Sequence, residues 1–267
     1  MSGKKTKAII SLCGKGGVGK TTVSALIVKA LIEDPSKRVL AIDADPAVGL
    51  ATALKINVKT TVDDIRNQFI ELLEKGGAGD RDQVLGLLDY EMTGALHEKD
   101  NLAFLSIGRS ETDGCYCQVN DLLKDIIGAI AENFDYLVID AEAGVEQVNR
   151  RVLEKVTHLI LISDLSTKGI KAAETIFSVA VKAVGFDKAG LIINRVRDQE
   201  EMKRITLPSN IAFLGSIPED SVIRNADIEE NNFLTIESTP AYEAVKRAMR
   251  ALGVAGFNTT TLPGEGS

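Results

Sequence analysis

Short, almost wholly apolar runs recur along this chain, separated by stretches in which apolar residues return every three or four positions. The runs fall at residues 7–12, 38–43, 102–107, 136–140, 158–163 and 189–194, with a shorter one at 211–214. Each is rich in Val, Ile and Leu and too short for a buried helix, so each is predicted to be a strand. Helical spacing is predicted over 21–32, 61–75, 119–132, 144–155, 167–184 and 241–252. Strands without polar alternation, interleaved with helices, imply a parallel sheet covered on both faces. The predicted class is therefore a single α/β domain. Residues 1–256 read as that domain, and the polar stretch 257–267 as a flexible tail.

In such a sheet the chemistry gathers in the loops beyond the carboxyl ends of the strands. The first of these loops is the most informative. Gly14 to Thr21 fits G-x-x-x-x-G-K-[ST], a phosphate-binding turn entered from a strand and left by a helix. Gly14, Gly16, Gly17, Val18 and Gly19 would offer backbone N–H groups to a nucleotide, continued by Lys20, Thr21 and Thr22. Lys20 would reach the β- and γ-phosphates, and the Thr21 hydroxyl would hold Mg²⁺. Lys15 is a second lysine at the near end of the turn, poorly placed to serve the same phosphate from its own chain. It points to a contact made across a dimer.

Two further loops carry carboxylates, Asp43-Ala-Asp45-Pro46 and Asp140-Ala-Glu-Ala-Gly144. Asp140 is the candidate anchor for Mg²⁺ and its waters, and Asp45 the group that orients an attacking water. Asp43 reads equally well as a magnesium ligand and as a helix cap.

Composition narrows the classes. The chain has 267 residues, 45% hydrophobic and 26% charged, which fits a globular domain. Its net charge of −7 argues against nucleic acid as a partner, and aromatics at 4% with no Trp offer few platforms for stacked bases. No apolar run is long enough to span a bilayer, and MSGKKTK lacks a signal-peptide core, so neither a membrane nor an exported setting is expected. A cytoplasmic location and three thiols rather than a disulfide framework follow.

KGGVGKTT at 15–22, DADP at 43–46, DAEAG at 140–144 and INR at 193–195 followed by IPED at 217–220 resemble the deviant-Walker dimeric ATPases. That group includes MinD, ParA and the nitrogenase iron protein. The resemblance covers about residues 7–250. It implies an ATP or ADP molecule sandwiched at a twofold interface, with Lys15 reaching the partner's phosphates and Asp45 positioning water. It also implies that Asn194 reads the adenine edge, where a turn residue is the alternative, and that Pro218 lines the base pocket.

Gly114-Cys115-Tyr116-Cys117 bears on what such an ATPase would act upon. Two thiolates fill half of a tetrahedral site for a soft metal, and a symmetric dimer would bring four together. Cysteines so spaced can also be small packing residues or a redox pair. Placed between the third central strand and the next helix, together with D-x-E-A-G, the pair resembles the CooC-type ATPases, with AcsF-type proteins close by. That resemblance implies Ni²⁺ bound by Cys115 and Cys117 across a homodimer, and a nickel enzyme as client, carbon monoxide dehydrogenase or acetyl-CoA synthase. The donor set itself would favour Zn²⁺, and both ions are expected to bind. An iron–sulfur-carrying ATPase is the first alternative and a MinD- or ParA-type positioning ATPase the second. Cys13, His158 and His97 read as bland: packing, packing, and an exposed helix end.

Overall fold

In a computed structural model the described residues are 6–74, 81–109, 117–141, 152–153, 155–183 and 185–257. Eight strands form one sheet in the order β3-β4-β2-β5-β1-β6-β7-β8. The strands are β1 (Ala8–Gly14), β2 (Val39–Ala44), β3 (His97–Lys99), β4 (Leu102–Ser106), β5 (Tyr136–Ala141), β6 (His158–Ser163), β7 (Lys188–Val196) and β8 (Ala212–Pro218). All pair in parallel except β3, which runs antiparallel on the edge beside β4. Every residue of β2, β4, β5 and β6 is buried, as expected of strands enclosed on both sides.

The described helices are α1 (Lys20–Ile32), α2 (Gly49–Ala53), α3 (Val62–Glu74), α4 (Arg81–Ala95), α5 (Cys117–Ala131), α6 (Thr167–Ala183), α7 (Gln199–Met202), α8 (Ser221–Ile228) and α9 (Pro240–Leu252). Side chains alternate across each strand, so two cores form. Leu12, Val138 and Ile160 pack with residues of α1, α2, α8 and α9 on one face. Leu40, Ile139 and Leu161 pack with residues of α3, α4, α5 and α6 on the other.

Several expectations shift. His97 lies on an exposed edge strand rather than at a helix end. That strand has no apolar residue to betray it. Only the end of the helix expected over 144–155 is described. There Lys155 makes an isolated bridge to Gly185, so the helix does not extend to that residue. Phe257 was expected to open the tail, yet it is 6% exposed and packed in the core. His158 is buried, with its Nδ1 2.7 Å from Thr157 Oγ1, which suits a packing role.

Helix α9 begins with Thr239 capping the Tyr242 N–H at 3.2 Å and Pro240 in its first turn. It ends on Gly253 at φ 69°. Its apolar face, from Ala241 to Leu252, is buried against the sheet and α1. Tyr242 ties it down. The Tyr242 hydroxyl donates to Glu33 Oε1 at 2.6 Å, and the ammonium groups of Lys29 and Lys246 lie 4.6 and 4.7 Å from the ring centroid.

Although burial opposes it, hydrogen bonds from Tyr242 and Lys29 hold the Glu33 carboxyl below its ordinary value. A carboxyl lowered on folding adds stability above its unfolded pKa of about 4.3, and that stability fades as pH falls through the folded value. Tyr242→Phe is therefore expected to cost about 1 kcal/mol at pH 7, measured by denaturant unfolding. The difference between the two proteins should shrink on acidification below about pH 4. A difference independent of pH would place the effect elsewhere than on Glu33.

Candidate nucleotide site

The site lies where β1 ends and α1 begins. Gly14 closes the strand so near β6 that a Cβ would collide with the Ile162 carbonyl oxygen. Gly17 and Gly19 have φ of 81° and 91°, a region side chains rarely enter. No side chain caps α1, so its first N–H groups remain available to an anion, in the positive end of the helix field. Lys20 is 7% exposed, and its Nζ reaches the Lys15 carbonyl at 3.4 Å, folded back over the turn. Lys15 itself is exposed.

Strand register brings the carboxylates alongside. Leu12 pairs with Asp140, and Asp140 with Asp43, across β1, β5 and β2. Asp140 accepts the Thr21 hydroxyl at 2.7 Å and the Ser24 hydroxyl at 3.1 Å. Asp43 accepts backbone N–H groups from Asp45 at 3.2 Å, Leu50 at 2.9 Å and Ala51 at 3.2 Å. It thus caps α2, the role that spacing left open beside magnesium binding. Asp45 sits on the rim of the site, and its Oδ1 accepts the Ala47 N–H at 2.9 Å.

Burial pushes both inner carboxyls upward. Asp43 rises to about 7, with the neighbouring Asp140 adding to the effect. Asp140 rises to about 6 against the opposing hydrogen bonds of Thr21 and Ser24. Two buried carboxylates and a hydroxyl form a hard oxygen donor set, which suits a small divalent cation. The Cys13 thiol, fully buried beneath the turn, is pushed up to about 12 by burial and stays protonated, in keeping with packing.

Beside the turn is a cavity of about 410 Å³ lined by Thr22, Asn194, Pro218, Glu219 and Ile223 among others. Asn194 is 5% exposed. Its Nδ2 donates to the Val18 carbonyl at 2.8 Å, and its Oδ1 accepts the Arg195 N–H at 3.0 Å. The side chain suggested for base recognition is thus also a brace for the phosphate turn.

The chain matches the CobQ/CobB/MinD/ParA nucleotide-binding domain over residues 9–233. It belongs to that family. Among curated relatives, the ATP-binding protein MJ0685 of Methanocaldococcus jannaschii is 33% identical over 224 residues, covering 83% of this chain and 88% of that protein. The carbon monoxide dehydrogenase accessory protein CooC of Rhodospirillum rubrum is 28% identical over 228 residues, 82% and 86% of the two chains. A solved structure of the septum site-determining protein MinD from Pyrococcus horikoshii, complexed with Mg-ADP, superposes with a TM-score of 0.63 at 23% identity. It covers 95% of this chain and 99% of that one. This likeness establishes a shared fold for the family member described here.

Of the residues expected in the site, Gly14 to Thr22, Asp43, Asp45, Asp140, Asn194 and Pro218 all fall around the phosphate turn and its adjoining cavity. Cys115 lies outside the described residues, and of Cys117 only its position as first residue of α5 is described. Ser24 falls outside the motifs, and Arg195 enters them only as the last residue of INR. Ser24 follows Thr21 by three positions, so helical spacing alone places both hydroxyls on one face. Ser24→Ala is expected to destabilise the protein by about 1–3 kcal/mol, because it leaves a buried carboxylate oxygen without its donor. Chemical denaturation checks this, and a change below about 0.5 kcal/mol would mean that Thr21 alone suffices.

Proposed function

We propose that this protein is a nucleotide-driven dimeric ATPase of the cytoplasm that carries nickel to a nickel enzyme, either carbon monoxide dehydrogenase or acetyl-CoA synthase. The ATPase half of the reading rests on one observation above others: Thr21, in the first turn of α1, donates to the buried Asp140 at 2.7 Å beside a glycine turn holding Lys20. Thr21 and Asp140, with Asp43 behind them, would hold Mg²⁺. The ion would offset charge on the β- and γ-phosphate oxygens. Lys20 would bind those oxygens, and Asp45, on the rim, would orient water for attack on the terminal phosphoryl group. Lys15, exposed, would bind the phosphates of a nucleotide held by a second copy.

The nickel half rests on Cys115 and Cys117 together with the similarity to CooC. Two chains would supply four thiolates for one Ni²⁺ ion, with Zn²⁺ as a competing cargo. A site that exists only between two copies can be tightened or released by nucleotide state, because dimer geometry and metal geometry are then linked. The docking of α9 against the sheet leaves its apolar face unavailable to a bilayer, so nothing in the described residues favours a membrane-positioning ATPase.

Anaerobic titration of the metal-free protein with Ni²⁺, with mass followed by light scattering, tests the cargo. One ion per two chains with conversion to dimer is expected. Cys115→Ser should abolish that uptake and leave ADP affinity unchanged; survival of dimer-bound nickel in the variant would sink the bridging site.

Lys15→Ala tests the shared nucleotide. Steady-state ATP hydrolysis should fall by at least about a hundredfold, the scale of a cation supplied in trans to a phosphoryl transfer. Binding of ADP to the isolated chain should stay within about twofold, since the target of Lys15 lies in the partner. An equal loss of both would make Lys15 an ordinary ligand of its own nucleotide.

A further inference from the structure

A phosphate turn can aim its N–H groups inward only if its carbonyls face outward, and those carbonyls need donors of their own. Here the donors come from two consecutive residues of β7. Asn194 Nδ2 donates to the Val18 carbonyl at 2.8 Å, and Arg195 Nη1 donates to the Gly17 carbonyl at 3.1 Å.

Consecutive residues of a regular strand point to opposite faces, so both could not normally reach the same loop. The end of β7 is irregular in a way that permits it. Ile193 pairs with Ser216 and Val196 with Pro218, so three steps along β7 match two along β8. The extra residue is a bulge, which re-aims side chains. Arg195 takes φ of 59°, a left-handed conformation that costs an ordinary L-residue about 1 kcal/mol. It gains no burial in exchange, being exposed. Its guanidinium also lies along Gly19, where an added Cβ would come within 3.8 Å of Nε.

We propose that Arg195 is a positioning residue for nucleotide binding: it holds the Gly17 carbonyl outward and so keeps the phosphate cradle preformed. This rests on the reading of the turn as a nucleotide site. Asn194 and Arg195 divide the work between a buried amide, which fixes Val18, and an exposed guanidinium, which fixes Gly17. The bulge is what lets one strand end supply both. Because the backbone N–H groups of such a turn cradle the α- and β-phosphates, the influence of Arg195 falls on ADP and ATP alike.

The left-handed φ supplies a clean test. Arg195→Gly removes the guanidinium while suiting the backbone better than arginine does, so folding and binding separate. The apo variant should melt within about 2 °C of the unaltered protein. Its affinities for Mg-ADP and for a non-hydrolysable Mg-ATP analogue, read by calorimetry, should each fall about fivefold, the loss of one net hydrogen bond. Unchanged affinity for both nucleotides overturns the proposal. So does a loss confined to the ATP analogue, which would put Arg195 on the γ-phosphate. A loss accompanied by a lower melting temperature would assign Arg195 to the fold and overturn it as well. Failure of the unaltered protein to bind either nucleotide overturns the nucleotide reading itself, and this inference with it.

Discussion

The site depends on the parallel pairing of β1 with β5. Leu12 lies opposite Asp140, so the strand that feeds the phosphate turn runs beside the strand that ends in the buried carboxylate. A slip of one residue would carry Asp140 to the opposite face, away from Thr21 and Ser24. The register is held by apolar content on both faces, since Ile10 and Val138 belong to one core and Leu137 and Ile139 to the other. Hydrophobic packing thus fixes the polar site to within a hydrogen bond. On the far side of β1, Gly14 lets the chain pass close to the Ile162 carbonyl of β6, and the turn begins from that contact.

Buried charge explains why the neighbourhood is so thoroughly hydrogen-bonded. Asp43 and Asp140 sit side by side on β2 and β5, fully screened from solvent. An unpartnered carboxylate there would be costly, and two would be more so. The protein meets this with two hydroxyls from one face of α1 for Asp140 and three backbone N–H groups for Asp43. The second set makes Asp43 part of the loop that carries Asp45. Movement of that loop therefore disturbs the hydrogen bonding of a carboxylate next to the Thr21–Asp140 pair, a direct physical link between the rim and the centre.

The central strands were legible because burial on both faces removes polar alternation and leaves runs such as YLVID and HLILIS. The phosphate turn was legible because only glycine tolerates its φ angles and close approaches. What was not legible had little hydrophobic signal. Strand β3 is a short, exposed edge whose form comes from pairing with β4, not from its own residues. Helix α2 follows Val48 at φ 53° and is held by Asp43, so its existence depends on a carboxylate distant from any periodic pattern. Among site residues, Asn194 could be matched by motif, but the bond of Arg195 to Gly17 depends on a bulge that no spacing reveals.

That bulge shows how a strand not paired with β1 takes part in a site built at the sheet's centre. Strand β7 lies two places from β1, with β6 between them, yet its last residues reach the turn. An ideal ladder would send Asn194 and Arg195 to opposite faces and leave one carbonyl of the turn to solvent. Solvent would satisfy that carbonyl but would not fix its direction. The extra residue in β7 replaces a mobile partner with a covalently anchored one, and preorganisation of this kind favours binding by reducing what must be ordered when the ligand arrives. The same strand end, through Asn194 and Arg195, lines the adjoining cavity, with Pro218 of β8 beside them. The glycine turn and the adjoining cavity therefore both meet a single local irregularity, so a change at Asn194 or Arg195 would be felt in both.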